Sequence, residues 1–486
     1  MAYFARSPMV VMLLRSLLLA LALVLAAPAA AQELPAPVAQ ALAKAGIQPS
    51  AVGAYVHDVA AAKPALAFNV TQPMNPASTI KLVTTYAALE LLGPTYTWKT
   101  DAYIAGTFHD GVLTGDLVLK GSGDPKLTLE NFWLLLRGLR QRGLREIRGD
   151  LVLDRTAFDA ADWDPARFDG EPMRAYNVGP DALLVNFKAV RFLFVPEIEH
   201  GTARVIPEPK PAQLTVTNNV RLTAAPCGDW RANLRMDVQN GASGARVTFS
   251  GSMPSACGER VWNVGLLSHP GYVGGVFRTL WEEMGGTLTG TVRDGPVPPN
   301  ARLLATQESP PLTEVVRDIN KFSNNVMARQ LFLTLSAEML KLPGRADRSA
   351  RTVSSWLSQK GLEFPELVME NGSGLSRIER ISAGSMGRML VAAYHSSVMP
   401  ELMSSMPLVA YDGTMRKRLK FESVAGQAHI KTGSLADVRS IAGYVLDRNG
   451  RRQAVVFFIN GQNAGAGQPA IDAFLRWVYE GAGATS

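Results

Sequence analysis

The chain has 486 residues, with 49 Lys and Arg against 42 Asp and Glu, and a formal net charge of +7. This mild basic excess is compatible with a polyanionic cell-envelope environment, and no run of Lys and Arg suggests nucleic-acid binding. The length exceeds that of one ordinary domain, so we expect more than one folded unit.

The first 31 residues are typical of an export signal. Arg6 and Arg15 supply positive charge, residues 17–26 form an apolar core, and Ala29–Ala31 offer a small-residue cleavage site. The alternative is a permanent membrane anchor, which the short apolar stretch after Arg15 disfavours. We therefore predict a signal peptide at residues 1–31 and a periplasmic mature protein, and we leave loose membrane association open.

The first folded elements should be a hairpin and a helix. Residues 54–59 and 65–70 are predicted as the two strands of the hairpin. The chain's only Ser-x-x-Lys motif, Ser78-x-x-Lys81, follows, and residues 82–92 lack Gly and Pro up to a Gly-Pro stop. We predict that Ser78 lies in the first turn of this helix, where Lys81 can reach its hydroxyl as a candidate base. The motif alone is weak, because most Ser-x-x-Lys occurrences are solvated surface.

After this helix, glycine, β-branched residues and turn signals dominate the chain, which indicates a β-rich region. Two similar strand entries, at 115–119 and 149–153, both read Gly-Asp-Leu-Val-Leu. One helix is expected around residues 273–284, and the Pro-rich segment 296–299 is typical of a linker that closes the region. We predict an inserted β-rich region at residues 101–299, made of two small domains.

The two cysteines, Cys227 and Cys257, lie in this region on segments rich in turn residues. In an oxidising compartment they could form one structural disulfide. Two free buried thiols are the alternative, and the sequence does not decide between them.

Helical patterns return after the linker. Residues 312–340 predict a helix that is broken at Ser323-x-Asn325, and further helices are expected at 347–360, 383–396 and 471–479. A meander with a tight turn at Asn449-Gly450 is predicted from strands at 427–432, 440–446 and 454–459. The sequence thus predicts an α+β fold, in which residues 32–100 and 300–486 form one discontinuous domain around the insertion.

Two further short motifs occur once each, Ser323-x-Asn325 at the helix break and Lys431-Thr432-Gly433 on a strand. Each alone has a plain explanation, as a helix cap or a polar strand end. In this order and these contexts, together with Ser78-x-x-Lys81, they are specific. With the segment Glu-Asn-Gly-Ser-Gly-Leu-Ser-Arg at 370–377, the chain resembles the class C, type-4 penicillin-binding proteins, a family of serine D-Ala-D-Ala carboxypeptidases and endopeptidases.

The resemblance covers nearly the whole mature chain. It implies a penicillin-binding, serine β-lactamase-like domain with an antiparallel sheet flanked by helices. It also implies peptidoglycan stem peptides as substrates, β-lactams as covalent inhibitors, and neither a cofactor nor a metal; other cell-wall enzymes are left open as partners. It does not divide carboxypeptidase from endopeptidase activity, because both use the same acyl-transfer centre.

The catalytic roles follow from the chemistry of acyl transfer. A neutral Lys81 can deprotonate Ser78, and both burial and the neighbouring Lys431 should lower the pKa of Lys81. Ser323 is predicted to pass a proton to the leaving D-alanine nitrogen. Asn325 is predicted to hydrogen-bond the substrate amide.

Substrate binding is predicted along the strand that carries the third motif. Lys431 and Thr432 should hold the terminal carboxylate, and Gly433 leaves room for the substrate. The backbone N–H groups of Ser78 and Ser434 should form the oxyanion hole.

Two further residues are expected to bind the substrate. Arg377 is expected to help bind the stem peptide, with an ordinary surface arginine as the alternative. Asp154 is expected to receive the amino group of a diamino-acid side chain, with a turn-capping aspartate as the alternative.

Other enzyme classes fit the sequence less well. A serine β-lactamase would share the core but not the insertion, and a Ser-His-Asp hydrolase is disfavoured because the chain has no Gly-x-Ser-x-Gly. The six histidines are dispersed and lack the zinc spacing His-Glu-x-x-His. The remaining alternative is a non-catalytic murein-binding or β-lactam-sensing protein that retains the three motifs.

Overall fold

The computed structural model describes residues 33–159, 163–241 and 244–482, and the predicted signal peptide lies outside them. None of the helices in these three ranges is long and apolar enough to cross a membrane. The α-helices of the described residues are α1 (Ala36–Lys44), α2 (Lys81–Leu92), α3 (Leu129–Gln141), α4 (His269–Glu283), α5 (Leu312–Phe322), α6 (Asn325–Leu340), α7 (Ala346–Gln359), α8 (Ala383–Tyr394), α9 (Met399–Ser405) and α10 (Gln468–Tyr479).

The strands follow the predicted division between a helix-rich and a β-rich part of the chain. They are β1 (Val52–Asp58), β2 (Leu66–Phe68), β3 (Lys99–His109), β4 (Val112–Gly121), β5 (Glu146–Ile147), β6 (Leu151–Asp154), β7 (Val190–Glu197), β8 (Thr202–Glu208), β9 (Leu214–Thr223), β10 (Leu234–Gly241), β11 (Gly244–Pro254), β12 (Arg260–Val264), β13 (Thr287–Leu288), β14 (Val292–Asp294), β15 (Arg302–Glu308), β16 (Ala428–Leu435), β17 (Val438–Leu446) and β18 (Arg452–Asn460).

One sheet joins the two ends of the chain. Its strand order is β16-β17-β18-β1-β2, and every neighbouring pair is antiparallel. The hairpin β1-β2 and the meander β16-β17-β18 confirm both predictions. Val52 of β1 pairs with Ile459 of β18, so the first strand completes the sheet beside the last one.

The apolar run in β18 reflects a sheet that is covered on both faces. Val456 and Phe458 belong to a core that also contains residues of α2, α6 and α8. Phe457 and Ile459 point to the opposite face, into a core that contains residues of α1 and α10. Since successive side chains of a strand point to opposite faces, a doubly covered strand has no polar alternation. Each buried Val or Phe stabilises the fold by about 1.5–3 kcal/mol. This arrangement confirms the predicted α+β fold with helices flanking an antiparallel sheet.

The predicted helix break separates α5 from α6. Ser323 follows α5 in a left-handed conformation, with φ of +56°. The side chain of Asn324 then caps α6, because its oxygen accepts a 3.1 Å hydrogen bond from the N–H of Met327. The break thus places Ser323 and Asn325 at the junction of α5 and α6.

The β-rich region contains two sheets. One has the order β10-β11-β9-β8-β7-β12, and the other has the order β13-β5-β4-β3-β15, with β6 beside β4 and β14 beside β6. The two Gly-Asp-Leu-Val-Leu segments lie side by side, since Leu117 pairs in parallel with Leu151. Cys227 and Cys257 form a disulfide that links the segments after β9 and β11. Both sheets contribute to one hydrophobic core.

The Pro-rich segment at 296–299 does not end this region. After it, the chain forms β15, which pairs antiparallel with β3, and only then enters α5. The predicted border at residue 299 ignores this strand, because pairing with a strand nearly 200 positions earlier leaves no local trace. We therefore propose a discontinuous catalytic domain around an insertion that ends after Glu308.

Candidate active site

A tight turn presents Ser78. The expectation that Ser78 lies in the first turn of the α-helix is wrong in detail, because residues 77–80 form a 3₁₀ turn and α2 begins at Lys81. Ala77 has a φ of +45°, and its N–H donates a 2.9 Å hydrogen bond to the side-chain oxygen of Asn75. A non-glycine residue in this conformation costs about 1–3 kcal/mol and persists only where its surroundings impose it. The strained turn holds Ser78 just ahead of α2.

The amine of Lys81 has three polar neighbours. Nζ lies 2.9 Å from Oγ of Ser78 and 2.6 Å from Oδ1 of Asn325, and it also donates to the backbone carbonyl of Ser373. The last two partners are acceptors only, whereas a hydroxyl can also donate. When the amine is neutral, its two N–H groups serve these acceptors and its lone pair faces the Ser78 hydroxyl. This is the arrangement that a general base requires.

Burial makes the neutral amine accessible near neutral pH. Lys81 is fully buried, and this burial holds its pKa well below the usual value for lysine. The positive charges of Lys431 and Arg329 lower the pKa of Lys81 further, and Glu379 opposes them. Lys431 is also fully buried, and burial lowers its own pKa to about 7.

The second and third motifs meet at one hydrogen bond. Nζ of Lys431 donates to Oγ of Ser323 over 2.9 Å and to the carbonyl of Thr432 over 2.7 Å. The hydroxyl of Thr432 donates to Oγ1 of Thr414 over 2.8 Å. Because Asn325 contacts Lys81 and Ser323 contacts Lys431, the helix break joins all three motifs.

Two glycines allow the chain to close around Ser78. A Cβ atom at Gly433 would lie 2.8 Å from the backbone nitrogen of Ser78, and one at Gly374 would lie 2.6 Å from the same atom. Real Cβ atoms essentially never come so close to a neighbouring atom. Gly433 therefore makes room for the turn that holds Ser78. Ser434 follows it as an exposed residue of the same strand.

Arg377 lies at the rim of a cavity of about 370 Å³. Its guanidinium lies 4.5 Å from the ring centre of Phe168 and 3.3 Å from a carboxylate oxygen of Asp437. Glu370 and Ser376 also line this cavity, so it adjoins the segment that carries Ser373. Among the described residues, Arg377 makes no hydrogen bond, ion pair or ring contact with the three motifs. It reaches Asp437, which follows β16, the strand that carries Lys431.

Asp154 is engaged elsewhere. Its Oδ1 accepts hydrogen bonds from the N–H and the hydroxyl of Thr156 (3.1 and 2.6 Å), and its Oδ2 accepts one from the N–H of Val297 (3.0 Å). The side chain is buried within the inserted region. These contacts are those of the turn-capping alternative. The acidic residues that do line the cavity beside Arg377 are Asp159, Asp164, Asp347 and Glu370.

A second cavity, of about 570 Å³, adjoins the helix break between α5 and α6. Ser323 and Asn325 line it together with Arg191 and Glu208 of the inserted region. Within the three described ranges, no group of three or more His, Cys, Asp or Glu side chains could hold a metal ion. The polar groups at the centre of the site are instead hydroxyls, amines and amides.

Residues 34–480 match the D-Ala-D-Ala carboxypeptidase 3 (S13) family. The chain belongs to this family. It is 26% identical over 400 residues to the D-alanyl-D-alanine carboxypeptidase DacB of Haemophilus influenzae, a match that covers 82% of this chain and 83% of the relative. It is 29% identical over 460 residues to the D-alanyl-D-alanine carboxypeptidase of an Actinomadura species, with 89% and 81% covered.

The fold of this S13 peptidase is that of a solved relative. The crystal structure of penicillin binding protein 4 (dacB) from Haemophilus influenzae superposes with a TM-score of 0.74 at 24% identity, covering 91% of this chain and 98% of that one. A second crystal structure of the same relative holds a novel β-lactam and has a TM-score of 0.73. The predicted family is confirmed, and the protein is a serine peptidase of the D-Ala-D-Ala carboxypeptidase class.

Proposed function

We propose that Ser78 is the nucleophile with which this S13 peptidase cleaves D-Ala-D-Ala ends or cross-links of peptidoglycan stem peptides. The observation that carries the proposal is the contact between the Ser78 hydroxyl and a buried lysine amine whose other partners are acceptors. Lys81 takes the hydroxyl proton as Oγ attacks the carbonyl carbon of the penultimate D-alanine. The C–N bond then breaks, and an ester on Ser78 remains.

The leaving amine needs a proton, and Ser323 with Lys431 offers a route for it. The Ser323 hydroxyl accepts a hydrogen bond from Lys431, so it can pass its own proton to the amine and be reprotonated by the lysine. Acylation leaves a proton on Lys81 and takes one from Lys431, so a proton passes through solvent from Lys81 to Lys431. Neutral Lys81 then accepts a proton from the water that attacks the ester and returns it to Oγ of Ser78 as the ester C–O bond breaks. The hydroxyl of Ser78 is restored, and the shortened peptide leaves.

Binding of the terminal carboxylate is assigned to Lys431 and Thr432. A carboxylate beside Lys431 stabilises the charged amine, whose pKa burial otherwise lowers to about 7. The amide of Asn325 is assigned to the substrate backbone. The N–H groups of Ser78 and Ser434 are assigned to the oxyanion, a contribution commonly worth about 3 kcal/mol.

The two cavities support substrates longer than a dipeptide. On one side, Arg377 and Phe168 offer a charged and an aromatic contact to the side chain of the stem peptide, with Glu370 or Asp164 as acceptor for an amino group. On the other side, the cavity beside Ser323 and Asn325 offers space for a leaving group larger than D-alanine. In this assignment the cavity acids replace Asp154, whose oxygens are engaged by backbone and hydroxyl donors.

β-Lactams should acylate the same serine, since they present a strained amide and a carboxylate to the same groups. The similar protein of Haemophilus influenzae, solved with a β-lactam, supports this proposal. We further propose that residues 1–31 are a cleavable signal and that the mature protein acts in the periplasm. Similarity to enzymes named as D-alanyl-D-alanine carboxypeptidases supports that location, and other cell-wall enzymes are proposed as partners.

The proposal is tested by incubating the mature protein with a fluorescent penicillin. We expect a covalent adduct with the wild type and none with Ser78→Ala. Ser404→Ala, which changes an exposed serine of α9, is the matched control and should label normally. An unlabelled wild type would contradict the proposal and favour a non-catalytic binding protein.

Products from purified murein then divide the two activities. Loss of D-alanine from monomeric peptides, measured by mass spectrometry, indicates a carboxypeptidase. Conversion of cross-linked dimers to monomers indicates an endopeptidase.

A further inference from the structure

A buried carboxylate lies behind the site. Glu379 is fully buried, and its Oε1 accepts hydrogen bonds from three successive backbone N–H groups, those of Glu370 (3.1 Å), Asn371 (3.0 Å) and Gly372 (2.9 Å). Its Oε2 is buried and finds no hydrogen-bond partner among the described residues. A buried carboxylate is costly unless hydrogen bonds satisfy it, so these amides hold Glu379 in place, and Glu379 holds them.

The segment at 370–373, whose first three N–H groups bind Glu379, ends at the Ser373 carbonyl that contacts Lys81. The side-chain oxygen of Asn371 accepts hydrogen bonds from the N–H (3.0 Å) and the hydroxyl (2.6 Å) of Ser373, and the carbonyl of Ser373 accepts from Nζ of Lys81. From the other side, the hydroxyl of Thr84 in α2 donates to the carbonyl of Gly372 over 2.7 Å. The segment is thus fixed between Glu379 and the helix that carries Lys81.

Glu379 also supplies negative charge to a group of buried cations. The charged groups that act on Lys81 are Lys431 and Arg329, which favour its neutral form, and Glu379, which favours its charged form. Glu370 acts on both Arg329 and Glu379. Arg329 is itself buried beside Trp163, at 4.4 Å from the ring centre, and its Nε has no hydrogen-bond partner within the described ranges.

We propose that Glu379 is a positioning residue, which orders the segment at 370–373 and so places the Ser373 carbonyl that orients the amine of Lys81. The inference rests on the proposed function of Ser78 and Lys81. Glu379 reaches Lys81 through the segment and through its charge, and it contacts neither the nucleophile nor the cavity beside Arg377.

Two substitutions separate these two effects. Glu379→Gln keeps an oxygen that can accept the three N–H groups but removes the charge. Glu379→Ala removes both. The rate constant for acylation by a fluorescent penicillin is measured against pH for each variant and the wild type, together with the thermal unfolding midpoint.

A matched control exists in the same domain. Asp447 is also buried, and its Oδ1 accepts backbone N–H groups of Asn449 and Arg451, both over 2.9 Å, in the turn between β17 and β18. Asp447→Asn and Asp447→Ala therefore remove the same kind of support at a place that has no contact with Lys81. They should lower the unfolding midpoint and leave the acylation rate of the folded protein unchanged.

We expect Glu379→Gln to acylate at the wild-type rate on the alkaline plateau. Without the negative charge Lys81 becomes neutral at lower pH, so the acid limb of the profile should move to lower pH, on the order of half a unit or more. Glu379→Ala should lose about tenfold or more at every pH, because a displaced carbonyl misplaces the amine. If Glu379→Ala does not fold, Glu379→Asp takes its place, because its shorter side chain withdraws the acceptor from the three N–H groups and keeps the charge. It should show the same loss of rate at every pH.

The outcomes are distinct from those that test the proposed function. A wild type that is not acylated would refute the proposed function and this inference together. A normal wild type with a folded Glu379→Ala or Glu379→Asp of wild-type rate would refute the positioning role alone. An unshifted Glu379→Gln profile, or an equal shift in Asp447→Asn, would refute the effect of the Glu379 charge on Lys81.

Discussion

Nζ of Lys81 and Oδ1 of Asn325 lie 2.6 Å apart, although 244 positions separate them in the chain. Lys81 begins α2 and Asn325 begins α6, so the contact joins the first turns of two buried helices. The amide oxygen takes one N–H of the amine and thereby turns its lone pair toward Ser78. The proposed base is therefore oriented by a residue from the other half of the sequence.

Removal of Lys81 should abolish acylation. Among the described residues, Lys81 is the hydrogen-bond partner of the Ser78 hydroxyl, so Lys81→Ala removes the proposed acceptor of its proton. Loss of a general base typically lowers a rate by about 10²–10⁴-fold. Labelling with a fluorescent penicillin measures the effect. Lys341→Ala, which changes an exposed lysine paired with Glu338, is the control. Normal labelling of Lys81→Ala would exclude this residue as the base.

The buried amine of Lys431 should lower the free energy of unfolding, although its proposed role is catalytic. Its pKa falls from 10.5 in the unfolded chain to about 7 in the folded protein, so the unfolded state binds more protons between these values. The free energy of unfolding should then rise with pH from about 7 to about 10. Lys431→Met removes this dependence and should raise the free energy of unfolding near pH 7 by on the order of 1–3 kcal/mol.

Urea unfolding of wild type and Lys431→Met near pH 7 and near pH 10 checks this prediction. The two proteins should differ more at the lower pH. Some dependence should remain in the variant, because burial also lowers the pKa of Lys81. A variant less stable than the wild type near pH 7 would contradict the predicted cost of the buried amine.

Loss of Arg377 should slow the cleavage of stem peptides and leave acylation by penicillin unchanged. If it contacts the stem-peptide side chain, Arg377→Ala should lower kcat/KM for a murein-derived pentapeptide by about tenfold, the value of one charged hydrogen bond. The same variant should be acylated by penicillin at the wild-type rate. Arg448→Ala removes an exposed arginine that pairs with Glu480 and serves as control. An equal loss with both substrates would indicate a structural role.

The disulfide should stabilise the inserted region without touching the chemistry. It joins Cys227 and Cys257, 30 positions apart, and so constrains the unfolded chain. The double variant Cys227→Ser, Cys257→Ser should lose about 2–4 kcal/mol of stability and keep its acylation rate. Thermal unfolding with and without a reductant measures this. A reductant should lower the midpoint of the wild type and leave that of the variant unchanged.

Local signals in the sequence explain which parts of the site could be predicted. Ser323-x-Asn325 breaks a helical pattern, and Asn449-Gly450 is a tight-turn signal between two apolar runs, so both contexts were readable. The residue types of the three motifs indicate their chemistry. The distances between the motifs could be obtained only from the structure. The sequence does not predict the positive φ of Ala77, because alanine has no preference for it. The side chain of Asn75 holds Ala77, and Asn75 is itself held by Ser376 and Asn460.

No residue type in the sequence marks the residues that surround Lys81. The partner of Lys81 at Ser373 is a backbone carbonyl, and every residue has one, so no residue type marks it. Glu379 looks like any other of the 42 acids until burial and three N–H donors distinguish it. Asp154 was expected to bind an amino group, yet its oxygens accept hydrogen bonds from Thr156 and Val297. Tertiary contacts, not sequence patterns, decide these cases.

Strand β1 lies between β2 and β18, and this placement sets the order in which the molecule can become reactive. A growing chain holds Ser78 and Lys81 long before it holds Lys431 or the strand that completes the sheet. The inserted region has its own core and can fold in that interval, whereas the sheet must wait for pairing between distant segments, which is slow. We therefore expect an unfinished polypeptide to carry an unreactive Ser78, whose reactivity appears only with the last steps of folding.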